Sequence, residues 1–140
     1  MTPDELARAC AEAMLAADRA SLGAGITLQH VGPGRATTAM RVASTMVNGH
    51  RICHGGYVFL LADAAFAFAC NTYGDVTVAA GCDIVFAAAA HEGDELIAEA
   101  QERAWFGRNG IYDVTVRRAD GELIAELRGR SRATAEKILS

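Results

Sequence analysis

The chain has only two prolines, and aromatic residues make up 6% of it. Two prolines exclude a polyproline or linker-rich protein. With so few aromatics the core must be packed with small side chains, and 29 alanines are there to supply them. No run of about 18 uncharged apolar residues occurs, so no helix is expected to span a membrane. Positive charge is not in excess either: the net charge is -4, against the basic balance of a nucleic-acid binder. The start, MTPDELARACAEAML, lacks a basic segment followed by a continuous apolar run, so it does not read as a secretory signal. A cytoplasmic location is expected.

Several chemical signatures are missing too. Cys10, Cys53, Cys70 and Cys82 form no C-x-x-C pair, and buried reduced thiols are expected rather than a disulfide framework. His50, Cys53 and His54 fall within five residues, but no second cluster of ligands follows, so no metal site is expected. Cys53 beside His54 is a weak signal for a thiol nucleophile, because sequence neighbours rarely orient as nucleophile and base. There is no G-x-S-x-G elbow, Walker A loop or G-x-G-x-x-G. The usual serine-hydrolase and nucleotide-loop chemistries are thereby excluded, and no cofactor is called for.

What is present is one domain, residues 1–140. Its 51% hydrophobic and 21% charged residues mark a folded chain long enough to bury a core. Thr2, Pro3 and Glu5 spell a helix start: capping hydroxyl, N1 proline and capping-box glutamate. The apolar stripe Leu6, Ala9, Cys10, Ala13, Met14, Ala17 carries that helix to about Arg19. Residues 25–31 and 35–43 alternate around Gly32-Pro33-Gly34 and read as a β-hairpin. Residues 44–54 read as a loop. Four strands are expected at 77–88, 95–106, 111–118 and 122–132. Glu92-Gly93-Asp94, Gly107-Arg108-Asn109-Gly110 and Asp120-Gly121 separate them, so an antiparallel meander is expected there. Charge is lopsided: residues 1–102 hold 5 basic and 12 acidic groups, residues 103–140 hold 8 and 5. A basic end on an acidic chain suits an anionic ligand, or merely solvated strand faces.

The informative segment is Gly55-Gly56 followed by YVFLLADAAFAFAC, residues 57–70, with Asp63 its single charge. This is a helix by propensity, and being apolar all round it calls for cover on nearly every side. The class is therefore α+β: a curved antiparallel sheet of about six strands around one long central helix, plus the N-terminal helix. A lone carboxylate in such a helix is costly unless it is paired or functional. Gly55 and Gly56 at the helix start present free N–H groups and the positive end of the dipole, suited to a developing oxyanion. Eight residues separate Gly55 from Asp63, roughly 12 Å along the axis and roughly 80° around it. One subunit cannot bring both to one carbonyl, so joint action demands a two-fold dimer with antiparallel helices and two shared sites. Asn48 reads as a substrate-orienting group or as a turn residue in Asn48-Gly49. His54 reads as a general base or as a helix-entry residue bonding the backbone.

The run Asn48-Gly49, His54-Gly55-Gly56, Phe59, Leu61-Ala62-Asp63 and Ala65 resembles the hotdog-fold acyl-CoA thioesterases, most of all their phenylacetic-acid-degradation branch. Phe86, Gly93-Asp94 and the ending Arg128-Gly129-Arg130-Ser131 resemble that branch too. The resemblance spans about residues 5–135. It implies a sheet wrapped around a long helix, and homodimers that join into homotetramers. It implies that Asp63 attacks the thioester or activates water, that the Gly55 N–H polarises the carbonyl, and that Asn48 positions the reactants. Gly56 belongs to the same carbonyl-binding end. CoA phosphates would meet surface arginines, Arg130 and Arg132 by position. The acyl group implied is aromatic, of phenylacetyl type. Two departures stand out: Ala79-Ala80-Gly81-Cys82 lacks the hydroxyl that relatives often carry, leaving Thr77 for that role, and Ala89 stands where many have proline. The alternatives on this fold are a dehydratase or hydratase using His54 and Asp63, and a non-catalytic acyl-CoA binding module.

Overall fold

The computed structural model describes residues 1–140. Helix α1, Pro3–Ala17, opens with the expected capping box: Thr2 Oγ1 accepts from the Glu5 N–H, and Glu5 Oε1 accepts from the Thr2 N–H. It stops short of Arg19. Asp18 turns extended and caps a separate short helix, α2, Arg19–Gly23, through the Ser21 N–H at 2.9 Å. An aspartate that bonds the backbone ahead of it competes with helix continuation.

Strands β1, Thr27–Gly32, and β2, Arg35–Arg41, form the expected hairpin. The loop after β2 holds one 3-10 turn, Ser44–Met46, and leads into α3, Gly55–Cys70. Then follow β3, Asp75–Phe86; β4, Glu95–Phe106; β5, Asn109–Arg118; and β6, Leu123–Lys137. All pairings are antiparallel, in one six-stranded sheet of order β1-β2-β4-β5-β6-β3.

That order corrects the expected meander. It holds for β4, β5 and β6, but β3 pairs with β6 and lies at the sheet edge. The segment 87–94 therefore crosses two intervening strands. Three strand spacings are about 14 Å, well within the reach of eight residues at about 3.3 Å each. Turn chemistry at Glu92-Gly93-Asp94 reports that the chain reverses, not which strand it then meets. The crossing segment is anchored on the way: the Ala87 N–H donates to Ile124 O and the Cys53 N–H to Ala90 O.

The sheet curls around α3. Leu61, Ala62, Ala65, Phe66 and Ala69 are almost wholly buried against Leu96, Ala98, Val114, Val116 and Leu127. Alanine on the helix and glycine on the sheet allow the close approach: a Cβ at Gly129 would lie 2.7 Å from Phe66 Cζ. Thr38 Oγ1 donates to Leu61 O, tying the helix to β2. One stripe escapes this cover: Gly56 is exposed, and Phe59, Leu60, Asp63 and Ala67 are half-buried. No helix is long and apolar enough to cross a membrane.

Candidate active site

The approach to α3 is a tightly bonded loop. Asn48 Oδ1 accepts from the N–H groups of His50 and Ile52, at 2.9 and 3.2 Å. The Asn48 N–H donates to Ile52 O, and the Arg51 N–H to Asn48 O. Bridges from Val47 to Cys53 and from Ile52 to His91 hold the loop on both sides. Arg51 is left-handed, with φ 64°, the one non-glycine residue of the chain with positive φ. Asn48 is thus a turn-former through its oxygen. With that oxygen engaged by two donors, its amide NH2 is left to face outward.

His54 caps α3. Its Nδ1 accepts from the Gly56 N–H at 3.3 Å, and its carbonyl accepts from Tyr57 and Val58. The Gly56 N–H is therefore occupied, and His54 is bonded as the helix-entry residue. The Gly55 N–H donates to no atom of the chain. Gly55 also lies under an aromatic ring: a Cβ there would be 2.9 Å from Phe86 Cζ. Phe86 ends β3 with its ring 51% exposed. A glycine with a free N–H at a helix start, roofed by a half-open ring, suits a carbonyl oxygen.

Asp63 lies two turns on, half-buried on the uncovered stripe. It has neither a hydrogen-bond nor an ion-pair partner, so the structural role of a carboxylate bonded to a loop or arginine is absent. Burial pushes its carboxyl above the usual range, and the nearby Asp18 carboxylate adds to this. Cys82 on β3 and Cys70 at the helix end are its thiol neighbours. Burial raises both, Cys70 to about 12, and the Asp63 charge contributes in each case. Because α3 is one unbroken helix, Gly55 and Asp63 stand apart by the axial distance of roughly 12 Å.

The arginines lie elsewhere. Arg130 and Arg132 project from the outer face of β6, away from α3. Both nitrogens of the Arg130 fork reach Asp83 Oδ2, at 3.1 and 3.2 Å, whereas Arg132 has no partner. Arg132 is registered opposite Val78. From Val78 to Phe86, beside Gly55, is eight residues of strand, roughly 26 Å. His50, Cys53 and His54 do not converge, since Cys53 is buried and His50 exposed. No three His, Cys, Asp or Glu side chains come together in an arrangement that could hold a metal ion. A groove of about 930 Å³ lies on the outer sheet face, between α1 residues such as Arg8 and strand residues such as Arg103. It is not at Gly55 or Asp63.

The roof over Gly55 is the feature that sequence reasoning did not connect. Phe86 carried no signal of its own beyond the resemblance, because the contact is made across 31 residues of chain.

The comparisons with known proteins bear on the family and the fold. Residues 50–125, from the bonded loop through β5 to the start of β6, match the model of the thioesterase superfamily. The chain belongs to that family. Acyl-coenzyme A thioesterase PaaI of Escherichia coli is 40% identical over 121 residues, which cover 86% of each chain. The structure of the E. coli PaaI protein from the phenylacetic acid degradation operon superposes with a TM-score of 0.95. There the identity is 36%, over 97% of this chain and 99% of that one. A mutant of the phenylacetic acid degradation protein PaaI from Thermus thermophilus gives 0.80 at 32% identity, over 84% of this chain and all of that one. The hotdog fold implied by the sequence is the fold observed.

Proposed function

We propose that this chain is an acyl-CoA thioesterase that releases a carboxylic acid and free CoA, with an aromatic, phenylacetyl-type acyl group. The observation that carries the reading is the pair of open groups on α3: a Gly55 N–H with no acceptor and an Asp63 carboxylate with no donor. The thioester carbonyl accepts from the Gly55 N–H, where the helix dipole favours the charge that develops on oxygen. Asp63 either attacks the carbonyl carbon, giving a mixed anhydride that water opens, or takes a proton from the water that attacks. Both routes end in the same acid and CoA thiolate, which leaves with a proton. The Asn48 amide NH2 orients the substrate from the loop, and His54 and Gly56 hold the helix end in shape.

The two groups meet on one substrate only across a dimer. Two features support that assembly. Strand β3 is a twelve-residue edge with exposed Val78 and Val85, a surface prone to pair with another strand. The α3 stripe carrying Phe59, Leu60 and Asp63 lacks cover. Pairing β3 with its symmetry mate lays the two α3 helices antiparallel. By family analogy two dimers join into a tetramer.

The test is thiol release from phenylacetyl, hydroxyphenylacetyl, benzoyl and aliphatic CoA esters, with Asp63→Asn alongside. Release by the wild type alone, fastest with aromatic esters, is expected. Undiminished release by Asp63→Asn overturns the mechanism. Binding without release favours the binding module, and a change at an enoyl double bond without CoA release favours the dehydratase. Single turnover in ¹⁸O-water reports the nucleophilic route: an unlabelled first product, with the label left in Asp63, arises only when Asp63 has formed the anhydride and water opens it at the Asp63 carboxyl carbon.

A further inference from the structure

A helix start with free N–H groups is ordinary, since every α-helix leaves its first ones without partners and water takes them up. What sets α3 apart is the ring placed on its first residue. A Gly55 Cβ would stand 2.9 Å from Phe86 Cζ and 3.4 Å from each Cε, so the ring meets Gly55 tip first. The Cα–Cβ bonds of a helix lean toward its N-terminus, the direction in which the first N–H groups also point. The Phe86 ring therefore stands beside the open Gly55 N–H. At the next residue no ring intrudes and the N–H is already bonded: a Gly56 Cβ would meet only His54 Nδ1, the atom that accepts from the Gly56 N–H.

The ring does not serve to fill the core. Phe86 is 51% exposed, lies outside the hydrophobic cluster around α3, and has no aromatic partner. Ile84, two residues earlier on the same strand, does pack on that cluster. The place of the ring is nonetheless fixed, and the sheet fixes it. Phe86 is registered opposite Ala125, and the next two N–H groups, of Ala87 and Ala88, both donate to Ile124 O, at 2.8 and 3.3 Å. The other flank of the helix start is held as firmly. The His54 N–H donates to Met46 O and the Cys53 N–H to Ala90 O, each at 2.7 Å. A half-exposed ring on a pinned backbone thus touches a glycine that no larger residue could replace without moving it. That contact lies at an open donor.

We propose that Phe86 is a positioning residue for the thioester reaction: its ring holds the first turn of α3 in place and keeps water off the Gly55 N–H. The carbonyl oxygen then meets a dry, fixed donor. This rests on the acyl-CoA reading above and deepens it. A donor that water also occupies stabilises a developing oxyanion little, because one hydrogen bond is exchanged for another. Shielded from water, the same donor acts at low local dielectric and needs no reorganisation as the charge develops. Phe86 touches no reacting atom in this role and acts through Gly55.

The test runs Phe86→Ala and Phe86→Leu in the thiol-release assay. Beside it, infrared spectra are taken of a bound ketone analogue in which a methylene separates the carbonyl from sulfur, so that it cannot be hydrolysed. Phe86→Ala should lower kcat about tenfold, a part of the roughly 10²–10³-fold that one oxyanion donor contributes. KM should stay within about twofold, the pattern of an interaction made only in the transition state. Phe86→Leu keeps apolar cover, should recover part of kcat, and keeps the test readable if the alanine variant unfolds. The ¹³C=O stretch of the analogue should lie below its value in water when bound to wild type, and move back toward that value in Phe86→Ala. A carbonyl band unmoved by both variants overturns the proposal, since a ring that only supports the fold leaves it in place. So does a raised KM with unchanged kcat, or an altered oligomeric state in light scattering, which marks a subunit interface. No thiol release by wild type, with a carbonyl band that Phe86 still controls, would fail the thioesterase reading and leave this role standing. Thiol release indifferent to both variants would fail this role alone.

Discussion

The two ends of α3 are built to opposite rules. At the C-terminal end the polar side chains of Asn71 and Thr72 are all bonded. Asn71, only 4% exposed, donates through Nδ2 to Ala67 O and Thr77 O and accepts the Thr77 N–H at 2.8 Å. Thr72 Oγ1 donates to Ala69 O and accepts the Gly34 N–H. At the N-terminal end the Gly55 N–H is open, Arg51 is left-handed, and the Phe86 ring is half in solvent. Asp63 continues that openness along the uncovered stripe. Groups that partner one another hold the fold. Groups left open are where a substrate or a second subunit takes the partner's place.

The sharpest way to break this contrast is Asp63→Asn. Loss of a catalytic carboxylate costs about 10²–10⁴-fold in kcat, read by thiol release, while the protein melts a few degrees higher. The sign follows from the raised carboxyl: the folded form disfavours the charge, so ionised Asp63 destabilises wild type above its folded pKa. The variant's thermal advantage therefore grows as pH rises through the folded carboxyl's raised pKa and disappears as pH falls below the ordinary carboxylate value. In the same direction, the acid limb of wild-type kcat/KM lies above the usual carboxylate range. An Asp63→Asn protein that melts lower would contradict the unpartnered carboxylate.

Gly55→Ala is the next largest. The added methyl meets Phe86 at 2.9 Å, and the shifted ring and helix start should cost about 10²-fold in kcat, the scale of one oxyanion donor. Phe86→Ala in the same chain should recover part of that loss, and full additivity of the two would show that the ring does not press on Gly55. Asn71→Ala tests the opposite end. Leaving the Thr77 N–H and Thr77 O without partners should cost about 2 kcal/mol in denaturant unfolding, with kcat of the folded enzyme unchanged. The smallest effect is expected at Arg51→Gly: relief of the left-handed backbone less the added freedom of the unfolded chain, a gain of about 0.5 kcal/mol.

Much of this was legible in the residues. Thr2, Pro3 and Glu5 announced α1, and Gly32-Pro33-Gly34 the first hairpin. The apolar run with one carboxylate marked α3 and Asp63. Helix arithmetic alone separated Asp63 from Gly55 and required a second subunit for joint action. The choice between a capping and a basic His54, and between a turn-forming and a substrate-orienting Asn48, was not legible. Those choices depend on which backbone N–H groups the loop turns toward the side chain. The position of β3 was hidden as well, because a turn signal is local and its strand's neighbour is not.

Local sequence by itself determined α1 and α3, the number and direction of the strands, and the one charge on α3, since propensity, periodicity and capping act within a few residues. Only the tertiary structure decided which groups stay open: Phe86 over Gly55, Asp83 on Arg130, and nothing on Asp63, Arg108 or Arg132. Packing contacts and ion pairs across 31 to 47 residues of chain depend on how the sheet curls around the helix, and no spacing along the chain encodes that.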